Sequence, residues 1–344
     1  MSVQLANPRQ DRSPASDASV EDLAVRLTTK ELRHLSRIST PLTCLHIGAE
    51  WSVILSTIYI CEKLWNPLLY LFAIAFLGAR QHALLILMHD GVHYRLFRNR
   101  RLNDWVTETL LAWPCLISAR AYRGNHFRHH RYLNTSQDPD WVRKHEDPAW
   151  LFPKPPGKLA SLLLRDVSGI GAIMFLRLLR TVTSADTDAT KELVISRYGF
   201  YLAIALALCW TGMLELYLQY WLVPMFTWLI LILRVRSIAE HSAIPGHYKA
   251  YTQTRTTYVT LLERLFVASK NVNYHIEHHL YPSVPFYRLP ELHDLLRSKP
   301  GFHAAHLTRT YWGVLREAVG SSAEGLCGSR QMAAGGVPNA STVE

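Results

Sequence analysis

PLLYLFAIAFLGARQHALLILMHDGVH, from Pro67 to His93, decides how this chain is read. Its apolar part, to about Met88, is long enough to cross a hydrocarbon core, since roughly 20 residues at about 1.5 Å rise span the roughly 30 Å needed. Arg80, Gln81 and His82 sit near its middle, so if the segment spans, they must face protein or a polar cavity. Where the apolar run stops, His89 and His93 stand four residues apart. That spacing puts both imidazoles on one helix face, at the rim of a membrane.

Three further apolar runs surround this one. Leu42 to about Ile60 is interrupted by His46 and Glu50, while Tyr198–Met213 and Leu216–Leu233 are separated by a turn's worth of residues and read as a helical hairpin. The cations give the orientation. Arg95, Arg98, Arg100, Arg101, Arg120 and Arg123 crowd the connection after the second run, and Arg234 and Arg236 follow the fourth. The turns within the pairs hold Glu62, Lys63 and Glu215. Short cytoplasmic loops are enriched in Lys and Arg, so two hairpins are expected to enter from the cytoplasm, with both termini inside.

The expected fold class is therefore all-α: a polytopic membrane helical bundle with about four transmembrane helices, near 42–60, 67–88, 198–213 and 216–233, under a cytoplasmic histidine-rich helical cap. Trp105–Ile117 and Gly169–Leu179 are too short to span and read as interfacial or re-entrant helices. Residues 1–38 read as a disordered cytoplasmic tail without the apolar core of a secretory signal. Residues 39–318 form the membrane domain, and 319–344, rich in Gly, Ser and Ala, a second disordered tail. Asn339 opens a glycosylation acceptor pattern, which an inside tail would not present to the modifying enzyme.

A net charge of +10 raises nucleic acid as a partner, but no RNA-recognition motif or zinc-finger spacing accompanies it, and its position favours lipid. Five scattered cysteines, without a C-x-x-C pair, argue against a disulfide framework and a thiolate-bound metal.

Histidine spacing carries the chemistry. His89 and His93 form H-x-x-x-H; His126, His129 and His130 form H-x-x-H-H; His275, His278 and His279 form a second H-x-x-H-H. Residues three and four apart on a helix lie roughly 5–6 Å from one another, so each box is expected to aim its imidazoles at one point. His241, just beyond the fourth run, is a ninth candidate. Imidazole suits iron, zinc, copper and nickel alike, but eight or nine exceed what one ion binds. Two ions would each have four or five nitrogen ligands and a position left for dioxygen. The H-E-x-x-H of a zinc protease is absent. Carboxylates that could orient the rings are Asp90, Asp138, Asp140, Glu240 and Glu277. Each could instead pair with a nearby arginine or bind metal directly.

These boxes, with HDGVHYRLFRNRRLND, HFRHHRYLNTSQDPDW and NYHIEHHLYPSVPFYRLPEL around them, resemble the membrane fatty acid desaturase superfamily from about Leu42 to Leu296. The resemblance implies two non-haem irons held by the eight box histidines and His241, dioxygen as oxidant, a lipid or acyl-chain substrate, and electrons from a separate donor such as a ferredoxin or a cytochrome. His275 in place of Gln argues against the front-end desaturases, and the absence of HPGG against a fused haem domain. Box spacing is also compatible with carotenoid ketolases and sphingolipid enzymes. The leading expectation is an acyl-chain desaturase, with a hydroxylase or ketolase as its rival. A metal-transporting membrane protein is disfavoured because the boxes flank the spans and do not line them.

Other residues receive quieter readings. Trp51, Trp65, Tyr201, Trp210, Tyr217 and Trp221 read as an interfacial aromatic belt. His82, two turns before His89, reads as a buried structural histidine, and His293 as a residue on the polar face of an amphipathic helix.

Overall fold

The computed structural model describes residues 25–145, 147–173, 176, 191–242 and 253–319. Four helices are long and apolar enough to cross a membrane: α2 (Thr40–Lys63), α3 (Pro67–Val92), α8 (Glu192–Thr211) and α9 (Leu214–His241). They match the four apolar runs in the sequence, with α9 extended to include His241. Before them lies α1 (Thr29–Leu35); between α3 and α8 come α4 (Arg100–Val106), α5 (Ala119–Tyr132), α6 (Pro139–His145) and α7 (Pro156–Val167). After α9 follow α10 (Leu261–Phe266), α11 (His275–Leu280), α12 (Leu289–Arg297) and α13 (Tyr311–Val319). A parallel ribbon of β1 (Arg255–Thr257) and β2 (His306–Thr308) is the sole departure from all-α architecture among the described residues.

Helix α3 is the axis. Asn66 caps its start by accepting from Leu69 N at 2.8 Å, and Pro67 occupies the first turn, where its missing N–H costs nothing. Its exposed apolar residues, Leu68, Leu71 and Phe72, lie in the first half; from Leu77 to Val92 every residue is buried. The first half thus suits lipid and the second half suits protein. By contrast, none of the most apolar stretch of α8 is buried inside the protein, against 72% for α3. Helix α8 is therefore a peripheral element, showing Leu202, Leu206 and Trp210 to the outside.

Two glycines let neighbours approach α3 closely. A Cβ on Gly78 would meet Trp228 Cβ of α9 at 2.8 Å, and one on Gly91 would overlap the Thr107 side chain. The second contact seats the segment after α4, which passes through a π turn (Thr107–Ala112) and a 3-10 turn (Trp113–Cys115) against α3. Helix α9 is interrupted by a π turn at Leu218–Leu222, in the turn before Pro224 where the proline removes a helix hydrogen bond, and its backbone leaves helical geometry again at Thr227. Its last segment, Trp228–His241, packs on α3, α7 and α13.

His46, Glu50, Arg80 and Gln81 within the spans find partners inside the protein. Arg80 pairs with Glu50 of α2 at 3.3 Å, Lys270 reaches the same carboxylate at 2.7 Å, and Lys270 Nζ lies 3.1 Å from His46 Nδ1. Gln81 donates to the carbonyl of Trp221 at 2.7 Å. This inward network explains how α2 continues unbroken past His46 and Glu50.

Residues 25–38, read from the sequence as part of the N-terminal tail, include α1 and are tied to the third histidine box: Leu27 N donates to Tyr281 Oη at 2.9 Å. The rest of that tail, residues 174, 175 and 177–179 of the Gly169–Leu179 stretch, and the segment from 320 onward, including Asn339, lie outside the described residues.

Candidate metal centre

Each histidine arrives on the end or the face of a helix. His89 lies in the last turn of α3 and His93 caps it; His126, His129 and His130 lie on α5; His241 ends α9; His275, His278 and His279 lie on α11. The two helices that present a ligand at their C-terminus share one device. Arg123 of α5 donates to the carbonyls of Val92 (3.0 Å) and Gly91 (3.3 Å), closing the end of α3, and its guanidinium pairs with Asp104 at 2.6 Å. Arg255, fully buried, donates to the carbonyls of Ile238, Ala239 and Ser242 at 3.1–3.3 Å, closing the end of α9, and pairs with Glu317 at 2.8 Å. Cations there satisfy the orphan carbonyls and suit the negative end of the helix dipole.

All nine histidines come together, in two adjoining groups. His89, His93, His126, His130 and His278 form one, and His129, His241 and His279 another, with donor nitrogens within 4.8 Å of one another in each. His275 joins the second group through His241 and Glu240. The groups touch where His130 and His279 stack at 4.3 Å between ring centroids. The expectation that each box aims at one point holds for the first box and fails for the other two. Successive residues on an α-helix are about 100° apart, so the adjacent pairs His129/His130 and His278/His279 must diverge. The i, i+4 pairs His126/His130 and His275/His279 stay together.

The rings face one another through Nε2. Contacts between Nε2 atoms measure 2.8 Å for His93–His126 and His275–His241, 3.0 Å for His126–His130 and His130–His278, and 3.1 Å for His275–His279. A neutral imidazole nitrogen has one proton or one lone pair, so His126, His130 and His275, each with two such neighbours, cannot be satisfied by hydrogen bonding alone. His89 Nε2 is buried without a partner among the described residues. A cation amid these lone pairs resolves both conflicts, so each group could hold a metal ion. Burial first, and then the charge of neighbouring histidines, holds His93, His126, His275, His278 and His279 well below the ordinary imidazole range; His130 is pushed down to about 3, by burial and then by His129. Burial thus favours the neutral form of these six rings, the form that ligation requires.

The far nitrogens are held from behind. His129 Nδ1 lies 3.0 Å from both oxygens of buried Asp138, which also accepts from Asn134 N (3.0 Å) and Asp140 N (2.8 Å). His275 Nδ1 is 3.5 Å from Glu240, itself paired with Arg236. Tyr122 Oη lies 3.3 Å from His126 Nδ1, one helical turn earlier on α5.

The remaining carboxylates bond elsewhere. Asp90 accepts from Phe286 N at 2.8 Å, joining α3 to the turn before α12. Asp140 pairs with Arg143 and Lys144. Glu277 accepts from Thr256 Oγ1 (2.6 Å) and contacts His293 Nδ1 (2.5 Å), whose Nε2 lies 3.1 Å from Tyr258 Oη. His293 is therefore a buried strut beneath α11 and not a polar-face residue. His82 is buried with both ring nitrogens unpartnered among the described residues, and joins neither group. A recess of about 440 Å³ lined by His93, Phe127, His130, Arg131, His279 and Pro282 opens onto both groups.

The sequence also has relatives. A fatty acid desaturase profile matches residues 65–311. The chain is 26% identical over 294 residues to dihydrorhizobitoxine desaturase of Bradyrhizobium elkanii, covering 80% of this chain and 81% of that protein. It is 30% identical over 232 residues to the sphingolipid delta(4)-desaturase/C4-monooxygenase DES2 of Homo sapiens, covering 66% and 65%. It is 26% identical over 243 residues to beta-carotene ketolase of Paracoccus sp. (strain PC1), covering 68% and 83%. A profile match running from the turn before α3 to the first residue of α13 takes in all nine histidines and both capping arginines, and the chain accordingly belongs to the fatty acid desaturase family and is an oxidoreductase of the desaturase, hydroxylase or ketolase type.

Proposed function

We propose that this protein is an O2-dependent di-iron desaturase that introduces a double bond into the hydrocarbon chain of a lipid or carrier-bound acyl substrate. The observation that carries this reading is the pair of adjoining imidazole groups, five and four rings strong, with lone pairs directed inward. We assign His89, His93, His126, His130 and His278 to one iron and His129, His241, His275 and His279 to the other. All-nitrogen sites without thiolate, in duplicate, are better suited to iron redox chemistry than to structural zinc.

Iron, when bound, would supply the redox chemistry with dioxygen that an unactivated C–H bond demands. The protein's own groups do the rest. Asp138, Glu240 and Tyr122 fix ring orientation from the Nδ1 side, and Arg123 and Arg255 hold the helix ends that carry His93 and His241. Desaturation removes two hydrogens from the chain, and with two electrons and two protons reduces O2 to two waters. A separate electron donor is therefore needed, and the recess at Phe127 and Arg131 is the access to the centre that a redox protein would use.

The cation-rich connections support a cytoplasmic histidine cap, with both ends of the bundle on the same side. Two of the relatives' names, sphingolipid and beta-carotene, support a lipid-like substrate, while the three divide over the reaction: two are desaturases, one of these also a monooxygenase, and one is a ketolase. Oxygen insertion is thus the second reading.

Acyl and lipid profiling of cells with and without the protein tests the assignment. A new double bond that vanishes in His126→Ala and His278→Ala, together with lost iron, is the expected result. Added oxygen would select the second reading, and full turnover in either variant would overturn both.

A further inference from the structure

Apart from the histidines' own recess, a second one of about 440 Å³ is lined by Arg37, Arg98 and Arg288, with Ser39 and Thr40 among its lining residues. Three chain segments meet there: the approach to α2, the loop five residues beyond His93, and the turn nine residues beyond His279. Tyr287 fastens the first of these, accepting from Ser39 N at 2.8 Å and donating to the carbonyl of Arg37 at 3.3 Å. Ser36 and Ser283 hydroxyls meet at 2.9 Å beside it. The recess is thus held in shape before anything enters.

Its charge is unbalanced. The Arg37 and Arg98 side chains have no ion pair among the described residues. Arg288 shares Glu291 at 3.0 Å, a carboxylate that also contacts His34, while its Nε is buried without a partner among the described residues. Of the three arginines that line the recess, only Arg288 is paired with a carboxylate among the described residues. The recess also lies at the start of α2, a helix of 24 residues with no acidic residue in its first turn, and Ser39 makes no side-chain cap. The free N–H groups and the positive end of the dipole add to the field. Because α2 is long and apolar enough to span, its first turn lies at the depth of lipid headgroups.

The geometry points to a phosphate-binding site formed by Arg37, Arg98 and Arg288 at the N-terminus of α2. Planar guanidinium forks match phosphate oxygens in pairs, which a point charge does not. This site does not depend on the reading of the metal centre.

Purified full-length protein in neutral detergent would be titrated with inorganic phosphate, with dihexanoyl phosphatidic acid and with dihexanoyl phosphatidylcholine, following the thermal shift and bound lipid by native mass spectrometry. Saturable binding of a phosphate probe is expected, weakened roughly tenfold or more in Arg37→Ala/Arg98→Ala, and partly kept in Arg37→Lys/Arg98→Lys. Equal binding of inorganic phosphate and phosphatidic acid identifies a free-anion site, and preference for the lipid a headgroup site. Absence of saturable binding to both, or affinity unchanged in Arg37→Ala/Arg98→Ala, would overturn the proposal. Unaltered metal content in the variants would show that any loss is local. Should the double variant fail to fold, competition between inorganic phosphate and phosphatidic acid on the native chain decides: displacement supports a shared site, and its absence removes it.

Discussion

Arg123 Nε donates to the carbonyl of Val92 at 3.0 Å, so the helix that carries the second histidine box closes the helix that carries the first. The bond lies one residue from His93. It makes the position of the first box depend on the position of the second.

Replacing Arg123 by Ala should expose the last carbonyls of α3 and leave half-buried Asp104 without its partner, costing about 1–3 kcal/mol. Metal content should fall with it, because His93 caps the same turn. Metal per chain and detergent melting temperature measure the two effects; an intact metal complement at native stability would refute the coupling. Arg123→Lys should recover part of the loss.

Asp138 and Asp140 look alike in sequence but are placed differently, one against His129 and the other against Arg143 and Lys144. Asp138→Ala should weaken metal binding by about 10–100-fold, the usual effect of removing a carboxylate behind a ligating imidazole. Asp140→Ala should change it far less. Chelator competition distinguishes the variants, and equal losses would mean that proximity in sequence, and not the contact, sets the effect.

Acid should destabilise the metal-stripped protein. Burial, followed by the neighbouring His129, pushes His130 from the ordinary 6.5 down to about 3, so between those values the unfolded chain binds a proton that the folded chain refuses. The slope of stability with pH is then positive. Stability should fall as pH is lowered through 6.5 and level off near 3; chemical denaturation of chelated protein across that window would show it. His130→Gln should flatten the curve, and a profile identical to wild type would disprove the attribution.

Gly91→Ala should be poorly tolerated, because the new methyl overlaps the Thr107 side chain where the two backbones come closest. Overpacking of this kind costs about 1–3 kcal/mol. Adding Thr107→Ala, which removes the two closest atoms, should restore part of the stability. Melting temperatures of the single and double variants test this, and a neutral Gly91→Ala would show that the crossing can give way.

The spans and the boxes were legible because both are local patterns: hydropathy over a window, and imidazoles at helical spacing. The division of the second and third boxes follows from helix geometry too, since His129 and His130 are adjacent and cannot face one point. Tyr122 stood one turn from His126 and could have been found by the same rule. Arg255, His293 and Tyr287 could not, because their roles depend on partners from other elements. Leu27 and Ser36 were hidden for the same reason: a polar stretch that packs on the third box looks, in one dimension, like a tail.

Helices α5 and α11 each send side chains to both imidazole groups. A small slide or roll of either helix would therefore disturb the two centres at once, with no hinge by which one might loosen while the other stays fixed. Loading should be concerted, the first ion drawing the yoke into register for the second, and a half-filled protein should be scarce at equilibrium.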